Sequence, residues 1–287
     1  MRIGLFLSEP QSIDQLRDSI SAAAADGFPS AWLSNIFGLE ALTALAVAGS
    51  QVPGIELGTA VVPTYPRHPA VMAQQAMTAN AALGGRLALG IGLSHQVVIE
   101  QMYGYSFDKP ARHMREYLDV LLPLVRGEKV DFTGETLQAH LGLSTPGGGF
   151  PVLIAALAPR MLKLAAEKAD GTVLWMTGPR TVAEHVVPAL GEGKRIVCAL
   201  PVCVTDDVAA ARAKAERVFA VYGQLPSYRA MLDKEGAAGP GDVAIVGDED
   251  SVRAQIEAMA AIGVTDFVAA EFGEFERTRR LLRTMLT

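Results

Sequence analysis

The sequence predicts a TIM (β/α)8 barrel spanning residues 1–287 as one domain, with an insertion at 93–150 after the fourth strand. Three observations carry that expectation. Apolar β-rich runs alternate with helix-period segments almost from end to end. The strand runs are continuously apolar, as in a parallel sheet covered on both faces. Eight such pairs fit within 287 residues, the size of one such barrel. Two doubly wound domains would alternate as well, but they would want a polar linker near the middle, where only the insertion is visible.

Each element follows in order. RIGLFLS (Arg2 to Ser8) is the first strand. In the next helix Ile13, Leu16 and Ile20 share a face, Ser12 and Gln15 suit a capping box, and Gly27 suits the stop. SAWLSN and IELGTAVV are strands two and three. Their helices are LEALTALAVAGSQ and HPAVMAQQAMTANAALGG, the latter closed by Gly84 and Gly85. RLALGIG is strand four, after which the rhythm breaks. Residues 93–150 hold the helix HMREYLDVLLPLVRG, a short hairpin about Thr133–Gly134 and the loop STPGGG. They carry no apolar core of their own and read as a cover over the barrel mouth. PVLIAAL, GTVLWM, RIVCALPVCV and TDFVAAEF are strands five to eight. The helical segments between and after them are APRMLKLAAEKA, TVAEHVVPALGEG, a long region from about Asp207 to Glu235, SVRAQIEAMAAIG and EFERTRRLLRTML.

Composition bounds the function. A net charge of −6 argues against a nucleic-acid footprint. No apolar run is long enough to span a membrane, and the opening MRIGLFLSEP is too short for a secretory signal. A cytoplasmic protein without membrane or nucleic-acid partners is expected. Cys198 and Cys203, the only two cysteines, match no zinc or Cys-x-x-Cys spacing and read as buried thiols. No metal site is expected.

In such a barrel the chemistry sits at the carboxyl ends of the strands. That rule selects Ser8 and Glu9, Asn35, residues 60–68, Ser94 and His95, Ala156 to Arg160, Trp175 to Gly178, Cys203 to Asp206, and Glu271. The set holds no carboxylate pair, metal cluster, Gly-x-Ser-x-Gly elbow or P-loop. A site so poor in acids and bases leaves the chemistry to a cofactor. Small residues dominate instead: Gly58, Ala60, Gly90, Gly92, Ala155, Ala156, Ala158 and Gly178. They are expected to let a flat ring approach the strand ends. GIGLSH lacks the third glycine of a dinucleotide turn and follows a fourth strand, so it reads as a barrel strand end. Pro159 suits a first helical turn, leaving two readings of AALAPRML: a phosphate site at a helix start beside Arg160, or simply a well-started helix.

These segments carry a resemblance. GTAVVPTYPRHPAVMAQQA followed by GGRLALGIGLSH resembles the central signature of the bacterial luciferase-like superfamily, most closely its branch that uses the deazaflavin coenzyme F420. AALAPRMLKLAAEKADGTVLWMTGP is similar to the strand-five and strand-six segment of that branch. The resemblance implies a coenzyme ring across the mouth, backed by a bulge on strand three with a non-prolyl cis peptide at Ala60–Val61. It implies phosphate binding by Ala156, Leu157 and Ala158, and places Thr177 and Gly178 near the coenzyme. Asn35 and Ile36 stand where many relatives carry an Asp-His pair, so a proton donor of those relatives is absent. The resemblance also implies a homodimer built on the helices after strands two and three.

Other residues divide between roles. His95 is the candidate proton donor, or an anchor for the insertion; Ser94 enters the mouth beside it. Trp175 is pocket wall or core. His68 reads as a helix entry. Glu9 and Glu271 are substrate contacts or solvated loop residues. The main expectation is an F420-dependent oxidoreductase moving a hydride between reduced deazaflavin and a small organic substrate. The alternatives are an FMN-dependent monooxygenase using oxygen, and a non-catalytic barrel subunit whose pocket is closed by large side chains.

Overall fold

A computed structural model describes residues 1–7, 10–146 and 148–286. Ser8 and Glu9, selected above at the end of strand one, lie outside the described residues. Eight parallel strands close a barrel: β1 (Arg2–Phe6), β2 (Ser30–Leu33), β3 (Glu56–Thr59, resuming at Val62–Pro63), β4 (Leu87–Gly92), β5 (Val152–Ile154), β6 (Gly171–Trp175), β7 (Arg195–Val204) and β8 (Asp266–Glu271). Each pairs with its neighbours in chain order, and β8 returns to β1 through Ile3 opposite Phe267. The barrel expectation is therefore met.

Helices form where the apolar period and the caps agree. Ser12 caps the helix Ile13–Ala25, accepting from the Gln15 backbone at 3.2 Å. The return bond differs from a capping box: the Gln15 carboxamide accepts from the Gln11 backbone rather than from Ser12. Gly27, at φ +88°, closes that helix in the left-handed region that glycine adopts freely. The expected long helical region after β7 is instead three helices, Val208–Val218, Ala220–Gln224 and Pro226–Glu235. Pro226 holds Leu225 extended, at ψ 124°, and so breaks the run.

Two small elements escape the sequence pattern. Ile245–Gly247 adds a three-residue strand parallel to the upper half of β7. A π-helical turn, Val97–Met102, opens the insertion. The rest of the insertion contains the helix Pro110–Val125 and the antiparallel pair Val130–Thr133 with Gln138–Leu141. Its buried side chains, Met114, Tyr117, Leu121 and Phe150 among them, join the same core as the barrel helices.

Inside the barrel, Trp32, Ala88, Leu153, Val173, Val197, Ala199 and Val268 form a second apolar cluster. Arg195 closes the amino-terminal end below it. Its guanidinium lies 5.4 Å from the centre of the Trp32 ring and pairs with Glu56 at 2.5 Å and Asp266 at 2.8 Å. These carboxylates raise the Arg195 pKa against the opposing effect of burial.

Candidate active site

The ladder between β3 and β4 fixes the geometry of the mouth. Gly58 lies opposite Ala88, and Val62 lies opposite Ile91. Three residues on β3 (59–61) thus face two on β4 (89–90), which is a β-bulge. The Thr59 hydroxyl bridges the gap, donating to the Gly90 carbonyl at 2.7 Å and accepting from the Gly90 backbone at 2.9 Å. The Ala60–Val61 peptide within the bulge is cis.

The small residues around this bulge serve a purpose other than the expected one. They do not hold space open for a ring. A Cβ at Gly90 would lie 2.0 Å from the Thr59 carbonyl oxygen, and one at Gly92 would lie 2.6 Å from a Val61 methyl. A Cβ at Gly58 would lie 2.1 Å from the Trp32 ring. These glycines admit the bulge and the interior tryptophan. Gly178 likewise faces the Glu235 carboxylate, 2.4 Å from where its Cβ would stand.

Above the bulge the mouth is aromatic. Ala60, Val61, Phe6 and Trp175 pack on the upper side of the interior cluster. Trp175 stacks on Phe6 at 5.4 Å and meets Phe219 and Tyr222 edge-on at 5.7 and 5.6 Å. Tyr222 meets Tyr228 at 5.2 Å, and Tyr228 meets His95 at 5.5 Å. Phe219, Tyr222 and Tyr228 come from the broken helical region after β7, far along the chain from any strand end the barrel rule selects. Sequence reading missed them for that reason. The Trp175 Nε1 donor is buried with no hydrogen-bond partner.

The remaining candidates fall around this centre. Asn35 accepts from the Ala41 backbone at 3.0 Å and so sets the entry to the helix Ala41–Gly49. Ser94 sits at φ +62°, partly buried, at the turn that leaves β4. The His95 carbonyl accepts from Val98 and Ile99 at 2.9 and 3.0 Å, starting the π-helical turn, while burial lowers its ring pKa below the usual 6.5. Thr177 is fully buried and donates to the Trp175 carbonyl at 3.2 Å. Next to it, Glu235 accepts from the backbones of Arg180 and Thr181 at 3.1 and 2.7 Å.

Ala156 is fully buried, and Ala158 is the N-cap of the helix Pro159–Lys168 without a side-chain cap. The Leu157 carbonyl is held by His185 Nε2 at 2.8 Å. His68 is a helix entry, as expected: its Nδ1 accepts from Ala70 and its Nε2 lies 3.0 Å from the Gln138 carbonyl. Glu271 forms a two-point ion pair with Arg279, so it is neither a solvated loop residue nor a free acid. Cys198 and Cys203 are buried, and burial pushes the Cys198 thiol up to about 12.

A second group unforeseen in the sequence lies under the insertion. Tyr65, beyond the bulge, stacks on His113 at 4.0 Å with an 8° interplanar angle. His113 Nε2 lies 3.1 Å from the Thr64 hydroxyl, and burial lowers its pKa to about 4. Burial, with Asp108 and Glu100, raises Tyr65 to about 12. Nothing in the spacing of Tyr65 and His113 announces this contact, which the insertion creates by folding back.

The chemistry of the mouth suits a planar heteroaromatic ring once the rings of Phe219, Tyr222 and Tyr228 are displaced from it. It offers apolar walls, a bulge behind them and an N–H donor that no protein acceptor reaches. Among the described residues no helix is long and apolar enough to cross a membrane.

Comparison with known proteins agrees with this architecture. A Mycobacterium tuberculosis protein named as a candidate coenzyme F420-dependent oxidoreductase is 29% identical, over 98% of each chain. The F420-dependent tetrahydromethanopterin reductase of Methanopyrus kandleri shares the fold, with a TM-score of 0.83 at 20% identity over 99% of this chain and 98% of the other. The oxygenating constituent of the 3,6-diketocamphane monooxygenase of Pseudomonas putida, solved with FMN, also shares it. Its TM-score is 0.76 at 18% identity, over 100% of this chain and 97% of the other. The model of the luciferase-like monooxygenases matches residues 1–266. With the closed barrel, the bulge on its third strand and that match over nearly its whole length, the chain belongs to the luciferase-like monooxygenase family of enzymes.

Proposed function

We propose that this enzyme is an F420-dependent oxidoreductase, moving a hydride between reduced deazaflavin and a small organic substrate at the barrel mouth. The observation that carries the reading is the apolar group of Ala60, Val61, Phe6 and Trp175 at the bulge, with the buried Trp175 N–H left unpartnered. The name of the full-length relative from Mycobacterium tuberculosis supports F420 over FMN. When bound, the deazaflavin supplies the hydride from carbon five of its ring.

The chain's own residues supply position and dryness. The Ala60–Val61 bulge backs the ring and fixes which face meets substrate. Trp175 donates its N–H to a ring acceptor. Ala156, Leu157 and Ala158 hold the phosphate at the uncapped helix start, where the backbone N–H groups carry partial positive charge. Thr177 and Gly178 line the coenzyme's side chain, with Asn35 and Ser94 at the rim. Reduction of a carbonyl needs a proton on oxygen as the hydride reaches carbon. His95 is the residue proposed for that proton. Because burial lowers its pKa, its charged, acidic form is favoured only below the ordinary histidine range.

A non-catalytic barrel is the second reading, favoured by the rings of Phe219, Tyr222 and Tyr228 over the mouth. They belong to a segment outside the barrel strands, so displacing it uncovers the mouth without disturbing the sheet. Titration with F420 and FMN side by side, followed by absorbance, decides. F420 binding at micromolar concentration is expected. FMN binding alone makes the protein a flavin monooxygenase, and binding of neither makes it the closed barrel. We also propose a homodimer through the helices Ala41–Gly49 and Pro69–Ala82, supported by the exposure of Val47 (47%) and Val71 (53%) on them. A monomer in sedimentation at micromolar concentration overturns it.

A further inference from the structure

The rings over the mouth belong to a stretch that is tied to the barrel at one place. The helix Ala220–Gln224 has no buried residue; Phe219, its N-cap, and Tyr222 rest on Trp175 edge-on. The next helix, Pro226–Glu235, buries Met231 and Leu232 near its far end. Among the described residues, three hydrogen bonds join it to the helical turn that starts at Pro179, just after β6. The Glu235 carboxylate accepts from the Arg180 and Thr181 backbones at 3.1 and 2.7 Å, and the Thr181 hydroxyl donates to the Met231 carbonyl at 3.3 Å. The Arg180 guanidinium pairs with Glu184 instead, at 3.2 Å. Backbone donors therefore hold the carboxylate, in directions that the turn fixes. Apolar contacts such as those of Leu232 have no such direction.

The carboxylate stands where a side chain at position 178 would stand. A Cβ at Gly178 would lie 2.4 Å from the Glu235 Cδ. Gly178 and Thr177 are both buried. They are also the two residues proposed to line the coenzyme's side chain. That chain and Glu235 cannot share one volume, and a phosphate brought near a carboxylate adds like-charge repulsion. The helix that ends on Gly178 carries Tyr228 two turns earlier, and Tyr228 meets His95 at 5.5 Å. One rigid element thus links Gly178 to the covered mouth.

We infer that Glu235 is an autoinhibitory latch: its hold on the Arg180 and Thr181 backbones keeps Phe219, Tyr222 and Tyr228 over the mouth, and a coenzyme chain arriving along Thr177 and Gly178 releases it. This rests on the reading that a phosphate-bearing coenzyme lies along those two residues, a condition that F420 and FMN both meet. Glu235 touches neither ring nor substrate. It sets how often the mouth is open.

The test needs no coenzyme in its first arm. Acrylamide quenching of Trp175 emission, with Trp175→Phe to subtract Trp32, reads how often the mouth opens. Glu235→Gln keeps the volume and removes the charge. The open fraction should rise about tenfold, the loss of one charge-assisted hydrogen bond, and the quenching constant with it. Gly178→Ala breaks the latch from the other side and should raise quenching as well, which keeps the test decisive should Glu235→Gln fail to fold. Glu184→Gln, an exposed carboxylate change on the same turn, should leave quenching as in the parent. In the second arm F420 and FMN are titrated into parent and Glu235→Gln. The coenzyme that binds should bind the variant more tightly, by up to the same factor. Unchanged quenching in both latch variants overturns the latch and leaves the functional reading intact. Raised quenching with equal or weaker coenzyme affinity overturns the autoinhibitory role. Raised quenching with no binding of either coenzyme to any variant overturns the functional reading and leaves the tie at Glu235 standing.

Discussion

Gly90 shows what a single missing side chain does here. Its absent Cβ is the space that the Thr59 carbonyl occupies, 2.0 Å away, and that carbonyl is backbone with no rotamer to yield. Gly90→Ala should therefore cost about 2–3 kcal/mol in urea unfolding, as overpacked sites do. Gly38→Ala, with nothing within 4 Å, should change stability by less than about 0.5 kcal/mol. Equal effects at the two positions would remove the packing argument for the bulge. His113 gives a second prediction. Its pKa is about 4 in the fold because burial disfavours the charged ring, against 6.5 when unfolded. Between those values the unfolded chain holds more protons, so stability falls as pH drops through that window. The contribution is complete above pH 6.5 and should shrink by about 1–2 kcal/mol by pH 5. In His113→Phe, which keeps the stack on Tyr65, the decline in urea midpoint between pH 7 and 5 should be visibly shallower; an identical slope would contradict it.

At the scale of elements, the bulge and the segment 219–228 act on the same volume from opposite sides. The bulge is built into a ladder and held by the Thr59 hydroxyl, so it is a fixed wall. The segment is the helix Ala220–Gln224 and the start of Pro226–Glu235, parted at Pro226, and its rings reach the mouth only as side chains. A ligand entering the mouth would therefore have to move the segment and not the strand. The chain has two tryptophans, and Trp32 is fully buried above Arg195 while Trp175 lines the mouth. Adding F420 should quench the emission of Trp175, and Trp175→Phe should remove that change. Phe219→Ala, which deletes one ring from the plug, should tighten coenzyme binding a few-fold. Weaker binding in that variant would mean that Phe219 holds the coenzyme instead of competing with it.

Over the whole molecule, barrel closure depends on contacts between strands distant in sequence. Arg195 on β7 joins Glu56 on β3 and Asp266 on β8, across the amino-terminal end of the barrel. Asp266 is only 2% exposed, so loss of its partner leaves a charge that water cannot reach well. Arg195→Met should cost about 3 kcal/mol in urea unfolding at neutral pH. Arg2, 2.9 Å from Glu56 and 3.4 Å from Asp266, keeps the loss from being larger. A shift smaller than about 1 kcal/mol would mean that the barrel closes on apolar packing alone.

The sequence by itself determined the barrel. Eight apolar runs at β/α spacing admit few other architectures, and periodicity is a local property that survives without any contact. The bulge on β3 was legible only through the family resemblance carried by GTAVVPTYPRHPAVMAQQA and GGRLALGIGLSH, and the ladder between β3 and β4 then showed it. The sequence also located Trp175 and His95 at strand ends, and the helix starts at His68 and Pro159. Only the tertiary structure decided what fills the mouth. Phe219, Tyr222 and Tyr228 read as ordinary helix residues until the chain after β7 folds back over Trp175. The same is true of Tyr65 with His113 and of Glu235 against Gly178. Each pair is distant in sequence, and a side chain's partner across such a distance is set by closure of the barrel, not by the neighbours that define its own helix or strand. The glycines make the point most directly. Sequence reading found them at the strand ends as empty space, and packing assigned that space to Trp32, Val61 and the Thr59 carbonyl.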